Sequence, residues 1–132
     1  MTRSSRARLA ALTLAVTCAC DPTRLTKCQG YASRITETAS AVMHHSLANA
    51  SFETVLGRVD DDIAGLNGIP ALEQAKADYK TTMREAIALA TKASKVATRP
   101  ERIDGNASAR AQAAKATYHL MEATNLHCAG ER

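Results

Sequence analysis

Residues 22–48 read PTRLTKCQGYASRITETASAVMHHSLA, and the spacing of their apolar side chains decides the fold. Leu25, Cys28, Ala32, Ile35, Ala39, Val42 and Ser46 recur at alternating steps of three and four. That rhythm places them along one face of a helix, as a seam that packs against neighbouring helices. Asp21 is a good N-cap and Pro22 suits the first helical position, where its missing N–H costs nothing. The spacing predicts a helix from Pro22 to about Ala48.

The same pattern repeats downstream. Asn49-Ala50-Ser51 breaks the first helix, with Ser51 as the next N-cap and Glu53 in the following turn. Phe52, Val55, Leu56, Val59, Ile63 and Leu66 form one stripe of a short second helix, which Gly57 weakens by about 1 kcal/mol relative to Ala. Leu66-Asn67-Gly68-Ile69-Pro70 carries turn chemistry. A third helix opens at Pro70 and displays Leu72, Ala75, Tyr79, Met83, Ala86, Ala90, Ala93 and Ala97, with Arg99-Pro100 as its stop, because the residue before a proline disfavours helix. A fourth follows Asp104 or Asn106, with Ala107, Ala111, Ala114, Tyr118, Met121, Asn125 and Cys128 on one face and Ala129-Gly130 as its end. No segment reads as a strand. The expectation is an all-α, four-helix up-and-down bundle with a short second helix and an Ala-rich core.

The N-terminus has a different character. Arg3, Arg6 and Arg8 precede the apolar run Leu9–Val16, which ends in Thr17, Cys18, Ala19 and Cys20. A basic start, a short apolar run and a small-residue end describe an export signal, and the run is well below the ~20 residues of a membrane-spanning helix. The segment closing on Ala19-Cys20 resembles the lipobox of bacterial lipoproteins. That resemblance covers about the first 20 residues, and it implies that residues 1–19 are removed and that Cys20 is lipidated as the new N-terminus. Cys18 is the rival processing cysteine, and an ordinary cut after Ala19 would leave Cys20 as a thiol.

Charge and cysteine usage follow from this division. The chain carries a formal +4 with a pI near 9.0. Without Arg3, Arg6 and Arg8 its 17 basic residues become 14, against 13 acidic ones, a net of +1 for residues 20–132. The basic excess therefore belongs to the targeting segment. With 3% aromatic residues and no Trp there is little to stack on bases, so the composition argues against nucleic acid.

Of the 4 cysteines, Cys28 and Cys128 are left over from processing in an oxidising compartment. They are read as a disulfide, the alternative being two separate buried thiols. A bridge suits a single domain, residues 20–132, with one Phe, three Tyr and a low-volume core. It also constrains topology. A helix of about 25 residues is ~37 Å long, whereas bridged Cα atoms lie within ~7 Å. Three long antiparallel helices would put the two cysteines at opposite ends; four elements bring them together. The same register sets Met121 level with Ile35 and Met83 in one core layer.

Candidate chemistry is sparse. His44, His45, His119 and His127 fall off the seams, and no CxxCH haem attachment is present. His127 lies near the end of the last helix, where four-helix periplasmic cytochromes carry a haem-ligating His, but Cys28 and Gln29 stand where the partner Met would be. Asp60-Asp61-Asp62-Ile63-Ala64-Gly65 has the start of a calcium loop, but Ala71 occupies the place of the bidentate Glu. No nucleophile elbow, SxxK motif or phosphate loop appears. Lys92, Lys95, Arg99 and Arg102 sit where they compensate a helix dipole.

The sequence thus predicts a non-enzymatic protein of the bacterial cell envelope, attached to a membrane through a lipid on Cys20 and requiring no cofactor. Its partner is expected to be another envelope protein, met on a flank left open by the short second helix around Phe52, Val55 and Val59. Alternative readings are a periplasmic small-ligand, haem or metal carrier and a secreted inhibitor-type protein.

Overall fold

In the computed structural model, which describes residues 22–129, these seams become four helices: α1 (Pro22–His44), α2 (Phe52–Ala64), α3 (Glu73–Ser94) and α4 (Arg99–Ala129). A 3-10 turn, Pro70–Leu72, leads into α3, and no strand occurs among the described residues. The proposed leader, Cys18, Cys20 and the Asp21 cap lie outside them. Each helix packs on its chain neighbour and α4 closes the ring on α1, with α3–α4 the most extensive contact. The all-α up-and-down bundle is therefore the fold.

Cys28 and Cys128 form the disulfide, with Cα atoms 6.0 Å apart and 100 residues apart in sequence. Closing a loop of that length contributes up to about 4–5 kcal/mol in the chain-entropy model. It ties the first turns of α1 to the last turn of α4 and so defines one end of the bundle.

The shortfall of the second helix is covered by the chain that follows it. α2 has 13 residues and α4 has 31, or about 20 Å against about 46 Å at 1.5 Å per residue. The missing length is made up by residues 65–72. Ile69 and Leu72 are buried against Cys28 and Tyr31, with Cys128 packed on the same cluster. Gly68 turns the chain there at φ +102°, a left-handed conformation that only glycine adopts without strain. Tyr31 Oη donates to Leu66 O at 3.1 Å, and Lys76 Nζ donates to the same carbonyl. Two helices thus satisfy a carbonyl that the end of α2 leaves without an intrahelical partner.

The opposite end is tied in the same manner. Asn106, 1% exposed on α4, donates through Nδ2 to Leu47 O at 2.9 Å and Asn49 O at 3.3 Å. One turn to either side, Arg102 reaches Ala48 O at 3.5 Å and Arg110 reaches His45 O. Three side chains spaced four apart therefore take up the carbonyls at the C-terminus of α1. The guanidinium charges also sit at the negative end of that helix dipole.

Several boundaries differ from the sequence expectation. α1 stops at His44 rather than near Ala48, because the carbonyls beyond it bond to α4 instead. Ser51 makes no side-chain cap; Asn49 Oδ1 accepts from Ser51 N and Oγ, both at 2.9 Å, and forms the turn. α3 ends at Ser94, where Lys95 and Val96 turn back onto Lys92 O and Ala93 O, each at 3.3 Å. Arg99-Pro100 begins α4 rather than ending α3, since proline in a first turn forfeits no hydrogen bond.

The core is an Ile35, Phe52, Leu56, Ile63, Met83 and Leu120 layer structure, thinned by Ala86, Ala90, Ala109 and Ala113 where α3 meets α4. Ile35 and Met83 lie in it as expected, but Leu120 takes the buried place expected of Met121, which only packs against the margin. Small side chains bring α3 and α4 close. A Cβ added at Gly105 would stand 2.7 Å from Ala93 Cβ and 3.5 Å from its Cα, whereas one added at Gly57 meets nothing within 4 Å.

The two glycines should therefore respond oppositely to the same change. Gly57→Ala relieves backbone entropy in an open position and is expected to raise stability by about 0.5–1 kcal/mol. For a domain of this size that is a rise of roughly 2–6 °C in thermal midpoint. Gly105→Ala must push α4 away from α3 and is expected to lower the midpoint. Thermal unfolding followed by circular dichroism checks both.

Candidate interaction surface

The flank expected to be open is closed by the protein itself. Phe52 is fully buried and Val59 is 5% exposed; Val55 is half-buried and packs on the same core. Phe52 and Val59 are therefore core residues rather than an interaction surface, and Val55 lies at the core's margin. His45 stacks on Phe52 with ring centroids 5.3 Å apart, and the Arg110 guanidinium lies 5.7 Å from the Phe52 centroid. The His45 ring is thus half-buried rather than on a solvated face, as His44 and His119 are. His127 is also half-buried, beside the disulfide.

An apolar surface does exist, on another flank. In α1 the buried positions are Cys28, Tyr31, Ile35, Thr38 and Val42, and in α4 they are Asn106, Ala109, Ala113, Ala116, Thr117, Leu120 and Thr124. The sequence seam for α1 mixes this face with the next one round. The seam drawn for α4 is displaced by one residue, about 100° of rotation, from Ala107 to Asn125, while Cys128 meets α1 as expected. Ala107, Ala111, Tyr118 and Asn125 are exposed, and Ala114 and Met121 are half-buried. The reason is that α4 carries Ala on nearly every face, and its inward positions include Asn and Thr. Apolar periodicity alone then favours the outward stripe.

Side by side, the outward stripes of α1 and α4 make one strip. On α1 it runs through Leu25, Gln29, Ala32, Thr36, Ala39 and Met43; on α4 through Ala107, Ala111, Ala114, Tyr118, Met121 and Asn125. No Lys, Arg, Asp or Glu occupies any of these positions. At its centre is a groove of about 280 Å³ whose floor includes Val42 and Thr117 and whose rims are Met43 and Tyr118. Met43 is 53% exposed and Tyr118 is 65% exposed, so each puts most of an apolar side chain into water. Single exposed apolar residues are ordinary; here Met43 and Tyr118 flank one groove. The outward stripe was legible in the sequence; which side of the helix it faced was not.

Other hollows have linings that mix polar and apolar side chains. One, of about 210 Å³ between α2 and α3, is lined by Asp60, Glu73, Lys76, Tyr79 and Lys80. Asp60 is half-buried there rather than fully solvated; burial pushes its carboxyl up, opposed by Lys80. Asp61 and Asp62 are exposed. Tyr79 is 3% exposed and its hydroxyl has no hydrogen-bond partner among the protein groups. Burial, aided by Asp60 and Asp62, drives the Tyr79 phenol far above its ordinary value. Tyr31 moves in the same direction, again chiefly through burial. Among the described residues no three His, Cys, Asp or Glu side chains gather to hold a metal ion, and no helix is long and apolar enough to cross a membrane. Lys92, Lys95 and Arg99 are exposed around the α3–α4 link, whereas Arg102 is half-buried and also reaches Val96 O at 3.5 Å. No family model, curated protein or solved structure matches the chain.

Tyr79 makes an alkaline signature. A phenol whose folded pKa is raised stabilises the fold fully below its unfolded value of 10.0 and loses that contribution as pH climbs past it. Stability in urea should therefore fall as pH rises through 10, because the unfolded chain ionises first. In Tyr79→Phe the fall should be shallower. Since the hydroxyl has no protein partner, neutral-pH stability should be unchanged or slightly higher. Urea midpoints at pH 7 and above 10 measure both, and an equal alkaline fall in the variant would assign the effect elsewhere.

Proposed function

We propose that this protein is a non-enzymatic binding or structural component of the bacterial cell envelope, held to a membrane by a lipid on Cys20. The observation that carries the binding role is the uncharged α1–α4 strip, the surface on which apolar side chains collect outside the core. A helical bundle with such a face, and with hollows that assemble no nucleophile–base–orienter set among the described residues, works by contact rather than by turnover.

Two further features support the location. The basic, then apolar, then Ala19-Cys20 sequence has the form of a lipoprotein leader. The Cys28–Cys128 bridge belongs to oxidising compartments, where such bonds persist. Anchor and fold are also mechanically compatible. Only Asp21 separates Cys20 from Pro22, so a lipid on Cys20 would hold the disulfide end of the bundle at the headgroups and let the strip rise along the bundle's length. Arg24 and Lys27, exposed at that end, would face anionic lipid.

The test is an intact mass of the detergent-extracted protein from its host, before and after reduction. The expected result is a chain beginning at Cys20 with a lipid-sized increment, gaining about two hydrogens on reduction. Cys20→Ala should then release the protein from the membrane fraction. An unlipidated wild-type chain recovered in the soluble fraction would sink the anchored reading.

A further inference from the structure

We propose that the hollow between α2 and α3 is a binding site for a small zwitterion of the free α-amino-acid class, held with its ammonium on Asp60, its carboxylate on Lys80 and the Tyr79 hydroxyl beneath it. This role is additional to the contact surface proposed above and depends on neither the strip nor the lipid anchor.

The floor of the hollow supplies the first observation. Tyr79 is 3% exposed, and its hydroxyl has no hydrogen-bond partner among the protein groups. Buried polar groups are nearly always hydrogen-bonded, so an orphan of this kind points to a molecule that completes it. Tyr79 also borders the hollow between α3 and α4. The acids that act on its phenol, Asp60 and Asp62, are both on α2, which places the oxygen on the α2 side.

The walls select the ligand. Asp60 and Glu73 bring negative charge to the hollow, and Lys76 and Lys80 bring positive charge. Glu73 and Lys76 answer one another, Nζ to Oε1 at 3.4 Å, and Lys76 Nζ also donates to Leu66 O. Asp60 and Lys80 are left over. They line the same hollow from α2 and α3, and Lys80 attracts the Asp60 carboxyl, yet among the described residues no direct ion pair joins the two. An ion of either sign meets walls whose charges cancel. A molecule carrying both charges bridges the separated pair, with each charge against its complement. Its carboxylate also accepts the proton that the Tyr79 hydroxyl offers, which a phenol kept neutral by burial retains. Ile63, Ala64 and Ala77 complete the lining and suit a short apolar side chain. The volume of about 210 Å³ lies below the ~300–1,000 Å³ of drug-sized sites, which restricts the ligand to a small molecule.

The experiment titrates the processed chain, purified from its host, with L-alanine, propionate and ethylamine in a calorimeter. Propionate keeps the carboxylate of alanine and lacks its ammonium; ethylamine keeps the ammonium and lacks the carboxylate. L-alanine should bind at one site per chain, and each of the others at least about tenfold more weakly. Asp60→Asn and Lys80→Met should each weaken L-alanine by about tenfold or more, as loss of a charge-assisted hydrogen bond does. Tyr79→Phe should weaken it several-fold without lowering the thermal midpoint. Asp61→Asn, exposed and outside the lining, should leave the affinity unchanged. No saturable binding of L-alanine, binding of propionate or ethylamine as tight as that of L-alanine, or an affinity indifferent to Asp60→Asn and Lys80→Met would each overturn the inference. Intact mass of the same material reads the lipid separately, so neither result decides the other.

Discussion

The Cys28–Cys128 bridge is the constraint on which the rest of the architecture hangs. It joins the beginning of the first helix to the end of the last, and only an even number of antiparallel elements brings those points together. The 13-residue α2 must therefore be a full member of the ring although it is too short to span it. The shortfall falls at the disulfide end, where Ile69 and Leu72 from the α2–α3 connection pack beneath the bridge. The staple and the loop that completes the core are thus parts of one solution.

A core so rich in alanine gains little from each buried side chain, since hydrophobic stabilisation scales with the apolar area removed from water. The bundle offsets this with polar ties at its ends. Asn106 and its neighbours Arg102 and Arg110 take the carbonyls that α1 leaves open, and Tyr31 with Lys76 does so for α2. Apart from Lys76, which reaches back across the α2–α3 connection, these contacts link helices that are not joined in sequence at that end. They hold the end of α1 through long-range partners and add to the local turn that ends α2, whereas α3 ends in a local turn alone. The Asn49 turn before α2 is local, but its carbonyl is held by Asn106 as well.

Small side chains have a second consequence. Where every face of a helix carries alanine, packing chooses the inward face by shape and by hydrogen-bond satisfaction rather than by hydrophobicity. α4 turns Asn106, Thr117 and Thr124 inward, where Asn106 bonds to the α1–α2 link and both threonines bond to their own helix. Tyr118 and Met121, larger and more apolar, are left at or near the surface. The outward strip is the residue of that choice. It explains why a protein with so few large apolar residues exposes several of them.

The amino-acid sequence by itself determined the helical class, the number of helices, the short second member, the third-helix face from Tyr79 to Ala93 and the disulfide partners. Each of these rests on local periodicity, turn residues or cysteine count, which need no knowledge of neighbours. Only the tertiary structure decided the facing of α4, the burial of Phe52 and Val59, the filling of the α2 shortfall by residues 65–72 and the role of Arg99-Pro100 as a start. Those depend on which surfaces meet across the bundle, on distances such as that between Gly105 and Ala93, and on carbonyls satisfied from as far as 65 residues away. An alanine looks alike on either side of a helix until a neighbour is close enough to require it.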